Sequence, residues 1–241
     1  MRRIVLLLLS LFAIALPAAA REVVVTEEVI EITEVTESGG SERFVGVEPA
    51  PIPQGIARFG PFRVLDGKRA AMVDLTDSAS PAQFDAMLRA YPGIETIEMI
   101  EVPGTEDDRA NLKLGRMIRA RGISTHVPAG GSVRSGGVEL FLAGKQRIAD
   151  PGAEFAVHAW ADDLGREATD YPADAPENRA YIDYYVEMGM DQGEARAFYA
   201  MTNSVPNAEA KWLNADDMGK WVRLDKAAAA TESLDSPAPH L

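Results

Sequence analysis

With 241 residues, 37 acidic against 24 basic side chains and a formal net charge of −13, the chain is long enough to bury a core and too acidic to suit a phosphate backbone. Nucleic acid is therefore not an expected partner. The absence of cysteine removes a disulfide framework and a lipid-attached amino terminus from consideration.

Residues 1–20, MRRIVLLLLSLFAIALPAAA, combine two arginines, the apolar stretch Ile4–Leu16, a proline and a small-residue A-x-A end. This pattern predicts a secretory signal peptide cleaved after Ala20, since the apolar stretch falls short of the roughly 20 residues of a comfortable membrane span. No second hydrophobic segment follows, so no stable membrane span is expected after cleavage. The expected location is the bacterial periplasm, and loss of Arg2 and Arg3 takes the formal charge to −15. Residues 21–55 form an acidic extension in which REVVVTEEVIEITEVTESGGSE alternates β-branched residues with glutamate and threonine. That segment suits an edge strand or an unfolded arm, and the punctuation of VEPAPIPQG closes it near residue 55.

From residue 56 a regular rhythm predicts one domain over 56–226. IARFGPFRVL and RAAMVDL flank Asp66-Gly67-Lys68 as a hairpin. Ser80-Pro81, with Gln83 placed for a capping box, opens a helix whose Phe84, Met87, Leu88 and Tyr91 share a face. IETIEMIEV reads as a strand, and Ala110, Leu114, Met117 and Ile118 mark a second amphipathic helix. ISTHV, GGSVRSGG and AEFAVHAW continue the alternation, which argues for parallel or mixed sheets covered by helices. Residues 177–201 are predicted helical with a break near Gly189. Tyr181, Tyr184, Tyr185 and Met188 form one stripe suited to core or subunit contact, and Asp191-x-x-Glu194 caps the second half. The tail 227–241 has the low complexity of an unfolded segment.

The chain offers three histidines, His126, His158 and His240. His240 lies in the tail. His126 and His158 each end an apolar run, where groups emerge from α/β sheets, and position alone also suits a half-buried structural imidazole. The segment GGSVRSGGVELFLAG, residues 130–144, leaves two readings open. Its glycines allow a tight turn and close helix packing with serines as turn residues, or a serine there is a nucleophile awaiting a base and oxyanion donors. Acidic pairs and runs such as Glu106-Asp107-Asp108 and Asp162-Asp163 read as solvated faces or helix starts, and no metal or cofactor is expected.

The order of these elements, with Val102-Pro103-Gly104-Thr105 ending one strand, Arg134-Ser135-Gly136-Gly137-VELFL-Ala143-Gly144 opening a helix and His158 ending a later strand, resembles the Clp protease proteolytic subunit family. The resemblance spans roughly residues 65–225 and is strongest over 95–160. It implies an α/β, Clp/crotonase-like spiral of strand–helix units, a peptide or ester substrate and a homo-oligomer. It also implies Ser135 as nucleophile, His158 as general base and an oxyanion hole from the Gly136 amide and the Gly104–Thr105 turn, with the Thr105 amide as donor. For the third member the family places an aspartate before a helix resembled here by WLNADDMGKWVRLD, residues 212–225. Upstream stands SVPNAEAK, which offers Asn207, through its amide oxygen, or Glu209. Ser132 does not match the serine-x-glycine-helix pattern. Lys145 lies across the new helix, roughly 15 Å along its axis from Ser135, too far to act as a base.

The expectation is therefore a periplasmic serine hydrolase, a peptidase acting through an acyl-enzyme. A catalytically inactive Clp-like scaffold or binding module is the alternative. A crotonase-like acyl-thioester enzyme shares the fold, but free coenzyme A is not expected outside the cytoplasm.

Overall fold

The signals that divide this chain are its glycines and prolines, and they begin with two reversals in a row. Residues 48–226 are described in a computed structural model; the signal segment, residues 21–47 of the acidic extension and the tail 227–241 lie outside the described residues. Strands β1 (Ala57–Phe59) and β2 (Phe62–Val64) pair antiparallel about Gly60-Pro61, with Gly60 at φ +56°. β3 (Arg69–Met72) returns against β2 around Asp66-Gly67-Lys68, where the Asp66 carboxylate accepts the Lys68 and Arg69 amides. The sequence pattern predicted only the second hairpin; Gly60 splits the preceding run in two.

Helix α1 (Ser80–Ala90) buries Phe84, Met87 and Leu88. The expected capping box does not form. Ser80 Oγ is engaged one turn upstream, donating to the Asp77 carboxylate and accepting its amide, each at 2.9 Å. IETIEMIEV, predicted as one strand, becomes β4 (Thr96–Met99) and β5 (Glu101–Val102) in different sheets. Ile100 is the corner: its amide donates back to Met72, while its carbonyl accepts from Ser132 on the far side.

Next come α2 (Asp108–Ala120), β6 (Ser124–Val127), β7 (Ser132–Arg134) and α3 (Gly136–Leu142), then β8 (Arg147–Ala149) and β9 (Glu154–Val157). A 3-10 turn at Ala168–Asp170 leads to α4 (Pro176–Glu187) and α5 (Gln192–Thr202), and β10 (Lys211–Asn214) and α6 (Ala215–Met218) follow. One sheet has the order β1-β2-β3-β4-β6-β8 and the other β10-β9-β7-β5. Each unit sends one strand into the first sheet, the next into the second, and then a helix: β4-β5-α2, β6-β7-α3, β8-β9-α4. The strands β3-β4-β6-β8 and β5-β7-β9 run parallel. Successive units stack into the expected α/β spiral.

The core lies between these turns. Ile97, Met99, Val133, Leu140, Phe141 and Phe155 have no exposed surface. α3 is buried along its whole length, which its glycines permit: a Cβ at Gly137 would stand 3.0 Å from the Val102 carbonyl oxygen, and one at Gly144 2.2 Å from Thr125 Oγ1. The close-packing reading of the glycines thus holds beside any role for the serines. The Asp191–Glu194 capping box forms as predicted, and Tyr184, Tyr185 and Met188 enter the core. Residues 212–225 begin inside β10, antiparallel to β9, and the helix expected there forms only as the four-residue α6. Asp225 returns to β8, donating its amide to the Arg147 carbonyl and accepting the Arg147 amide. Among the described residues no helix is long and apolar enough to cross a membrane.

His126 is built into the first sheet. β4–β6 register sets it opposite Glu98, with Nδ1 2.6 Å from one Glu98 oxygen and Nε2 3.0 Å from Asp150. Hydrogen bonding to Glu98 is the main force raising its pKa, and burial opposes it. A raised histidine pKa stabilises the fold fully below the unfolded value of about 6.5, and that stabilisation fades as pH climbs through the folded value. Urea unfolding should therefore separate native protein from His126→Gln more widely at pH 6 than at pH 8.5. An equal gap at both would show that the imidazole binds its proton no more tightly in the folded state than in the unfolded one.

Candidate active site

β7 alternates its side chains, and this separates the two candidate serines. Ser132 and Arg134 share a buried face, where Arg134 Nη1 donates to Ser132 Oγ at 2.7 Å and the guanidinium pairs with Glu101 of β5. Ser132 is thus fully buried and committed to Arg134. Ser135, at the β7–α3 junction, is half-buried and opens on a cavity. Its φ of +48° is the only positive value at a non-glycine residue among those described. Such a backbone costs an L-residue about 1–3 kcal/mol and must be held by its surroundings. The Ser135 amide donates to Ala156 and its carbonyl accepts the Val138 amide, both at 2.9 Å. Gly104, at φ +143°, lies directly against it: an added Cβ there would stand 3.2 Å from Ser135 Cβ.

His158, one residue beyond β9, lines the same cavity, which measures about 130 Å³. Its Nδ1 stands 2.8 Å from the Ala159 carbonyl oxygen, and its buried Nε2 has no hydrogen-bond partner. Ser135 Oγ and His158 Nε2 face one cavity without bonding each other. Asn207 arrives on the loop between α5 and β10, its main-chain amide held by the Glu167 carboxylate at 2.7 Å. Its side chain corrects the expected orientation: the amide nitrogen, not the oxygen, faces the imidazole, 2.8 Å from the Ala159 oxygen and 3.1 Å from His158 Nδ1. The hydrogen-bond network assigns the tautomer. The Ala159 carbonyl needs donors and receives two, the Asn207 amide and Nδ1–H, which leaves the Nε2 lone pair toward the cavity. Glu209 is exposed and lies outside this cavity, as does the exposed Lys145.

Thr105 and Gly136 both line the cavity. Thr105 keeps a negative φ, so a β-branched residue fits this turn. Its hydroxyl is tied to the Thr76 carbonyl and to the Asp107 main chain, and its methyl packs on Gly136, where an added Cβ would fall 2.6 Å from Cγ2. The Gly136 amide heads α3, where first-turn amides lack intrahelical acceptors. Asn111 fixes that residue by donating to the Gly136 carbonyl at 2.7 Å, and Thr76 in turn donates to Asn111 at 2.9 Å.

Three features of the cavity escaped sequence reasoning. Glu139 is the only charged side chain in VELFL, four residues after Ser135 and so on the same helix face. It is 7% exposed, accepts the Tyr185 hydroxyl at 2.7 Å, and burial, reinforced by Asp108 and opposed by that hydrogen bond, raises its pKa to about 7. The spacing from Ser135 was the legible signal. Asp108 belongs to an acidic run read as a solvated helix start. Asp107 does cap α2, accepting the Ala110 amide, but Asp108 lines the cavity mouth. Although it keeps solvent contact, the protein packed around its carboxylate raises its pKa; the Asp107 charge adds to this, and the Tyr181 hydroxyl and His158 oppose it. Tyr181 packs against the core from its predicted stripe and also stacks on Trp160 at the cavity, centroids 6.3 Å apart and planes at 12°. Trp160 Nε1 donates to Tyr199 at 2.7 Å.

No family model and no curated protein matches the chain. Among solved structures, a ClpP1 mutant from Listeria monocytogenes is similar at 15% identity and a TM-score of 0.48, covering 66% of this chain and 90% of that one. Two mutants of the 1510-N membrane-bound stomatin-specific protease align at TM-scores of 0.45. One, in complex with a substrate peptide, is 18% identical over 67% of this chain and 76% of its own. The other is 17% identical over 66% and 77%.

Proposed function

We propose that this protein is a serine hydrolase acting on a peptide or ester bond through an acyl-enzyme on Ser135. The observation that carries the reading is the convergence, on one cavity, of a serine held at a positive φ on a strand-to-helix turn and an imidazole whose Nε2 has no protein partner. In this reading the His158 Nε2 lone pair takes the Ser135 proton as Oγ attacks the substrate carbonyl. The Gly136 and Thr105 amides hold the tetrahedral oxyanion, and the imidazolium then protonates the leaving group. The Ala159 carbonyl, steadied by Asn207, keeps the proton on Nδ1. Oγ and Nε2 come into hydrogen-bond contact once substrate displaces solvent, a tightening common to such sites. Export directed by residues 1–20 would set this chemistry in the periplasm.

Fluorophosphonate labelling of residues 21–241 tests the reading, because the probe reacts only with an activated serine next to oxyanion donors. Labelling is expected for the native chain and for a folded Ser132 variant such as Ser132→Ala, and is expected to vanish in Ser135→Ala. A folded native chain that takes no label would instead favour a non-catalytic binding module, the reading in which His158 and Ser135 never meet.

A further inference from the structure

The hydrolase reading leaves Glu139, Asp108 and the aromatic wall without work. The first two are carboxyl groups on a cavity whose lining contains no lysine or arginine. Nearly buried Glu139 gives one oxygen to Tyr185; the other receives no donor from another residue. Asn203 supplies a second, neutral acceptor. Its amide nitrogen is spent on the Tyr199 carbonyl and the Thr202 hydroxyl, which fixes its orientation, and its buried Oδ1 has no partner. The cavity therefore presents surplus acceptors and unneutralised negative charge. Burying such groups is costly unless a donor-rich cation meets them.

The walls and the approach point to the same chemistry. Stacked Trp160 and Tyr181, with Tyr199 beside them, offer the π faces that attract ammonium and guanidinium groups. Through Thr105, Asp108, Trp160, Ala161 and Tyr181 the cavity continues into a groove of about 690 Å³. Glu106, Asp107, Asp162, Asp163 and Glu177 line that groove with Arg109 as its one basic residue. Asp162 is neutralised by Arg166 and Asp107 is occupied as a cap, which leaves Glu106, Asp163 and Glu177 to draw a cation inward.

We propose that the cavity beside Ser135 is a specificity pocket for a basic side chain, with Asp108 at its mouth and Glu139 and Asn203 within it, so that the substrate is a peptide carrying lysine or arginine next to the bond to be cut. This rests on the hydrolase reading for the cut itself, but the binding can be measured without it. The lysine ammonium brings three donors to the three acceptor side chains, and its methylene stem lies along Trp160 and Tyr181.

The test uses Ser135→Ala protein, residues 21–241, which cannot form an acyl-enzyme. Of the three tryptophans, only Trp160 lines the cavity, so its fluorescence reports entry. Blocked tripeptides Ala-Lys-Ala and Ala-norleucine-Ala are titrated in turn at low salt. The lysine peptide is expected to bind at least about tenfold tighter, a preference reduced by added salt. Asp108→Asn, at the exposed mouth, is expected to bring the two peptides within about twofold of each other, and Glu139→Gln to weaken the lysine peptide alone. Equal binding of both peptides, or a lysine preference unchanged in Asp108→Asn, would overturn the proposal. Either result would leave the hydrolase reading to stand or fall on the labelling of Ser135, and a lysine preference found without any labelling would keep the pocket and discard the cleavage.

Discussion

His158→Ala should slow fluorophosphonate labelling of Ser135 by about 10⁴-fold, the scale on which removal of a general base is felt in serine enzymes. Without an imidazole to accept the Oγ proton, the hydroxyl attacks at its unactivated reactivity, and no other titratable group lies where it could substitute cleanly. Asp108 and Glu139 are the carboxyls that line the cavity, but neither is hydrogen-bonded to Ser135, and Glu139 is engaged by the Tyr185 hydroxyl. Asn207→Ala should cost far less, about five- to tenfold, because it removes one hydrogen bond to the Ala159 carbonyl and leaves that carbonyl in place against Nδ1. Glu209→Ala should leave the rate unchanged. Second-order labelling rates on folded variants rank the three. Loss in Asn207→Ala as severe as in His158→Ala would transfer the orienting role from the carbonyl to the amide side chain. Full labelling of His158→Ala would sink the general-base assignment altogether.

The second large effect is on stability. Glu139 is 93% buried by surface area and its pKa is raised from the ordinary 4.5 to about 7. A carboxyl with a raised folded-state pKa binds its proton more tightly when folded, so stability is greatest below about 4.5, declines as pH rises through that interval, and levels off above 7. The interval corresponds to about 3 kcal/mol. Glu139→Gln keeps an acceptor for the Tyr185 hydroxyl and has no charge to bury. Its unfolding free energy relative to the native chain should therefore rise by about 3 kcal/mol between pH 4.5 and pH 8. Urea unfolding at the two pH values measures it, and a difference that stays constant would mean that Glu139 ionises in the folded state as easily as in the unfolded one. The same burial links stability to function: a lysine ammonium entering the pocket would relieve the cost of that charge at neutral pH.

Periodicity along the chain was sufficient for the strand–helix alternation, for α2 with Leu114 and Ile118 inward, and for the Asp191–Glu194 cap, because each depends on residues within one or two turns of each other. The pairing of Ser135 with His158 was legible by another route, the resemblance of the segment Arg134–Gly144 and the strand after it to a known family pattern, since residue position alone left both side chains open to a structural reading. The fold brings both to one cavity. Gly104 and Thr105 were legible through the same resemblance.

Other features were decided only when distant segments met. Ile100 divides a segment that reads as one strand because its amide and carbonyl bond to different sheets, a choice made by β3 and β7 rather than by its neighbours in sequence. Ser80 turned to Asp77 instead of capping with Gln83. Ser132 and Ser135 share one glycine-rich loop, yet the buried Arg134 claims the first and the turn presents the second. Asn207 and Glu209 were equal candidates on a line of sequence; Glu167 and the Ala159 carbonyl seat one at the imidazole, while the other is left in solvent. Asp108, Glu139 and Tyr181 come from three helices, and only their packing makes them walls of one cavity. Sequence alone determined the alternation of strands and helices and placed Ser135 and His158 at the ends of two of them, since backbone propensity and side-chain period act over a few residues. Tertiary structure decided what surrounds that pair, because burial, hydrogen-bond partners and the pKa shifts they cause are properties of groups brought together across the chain.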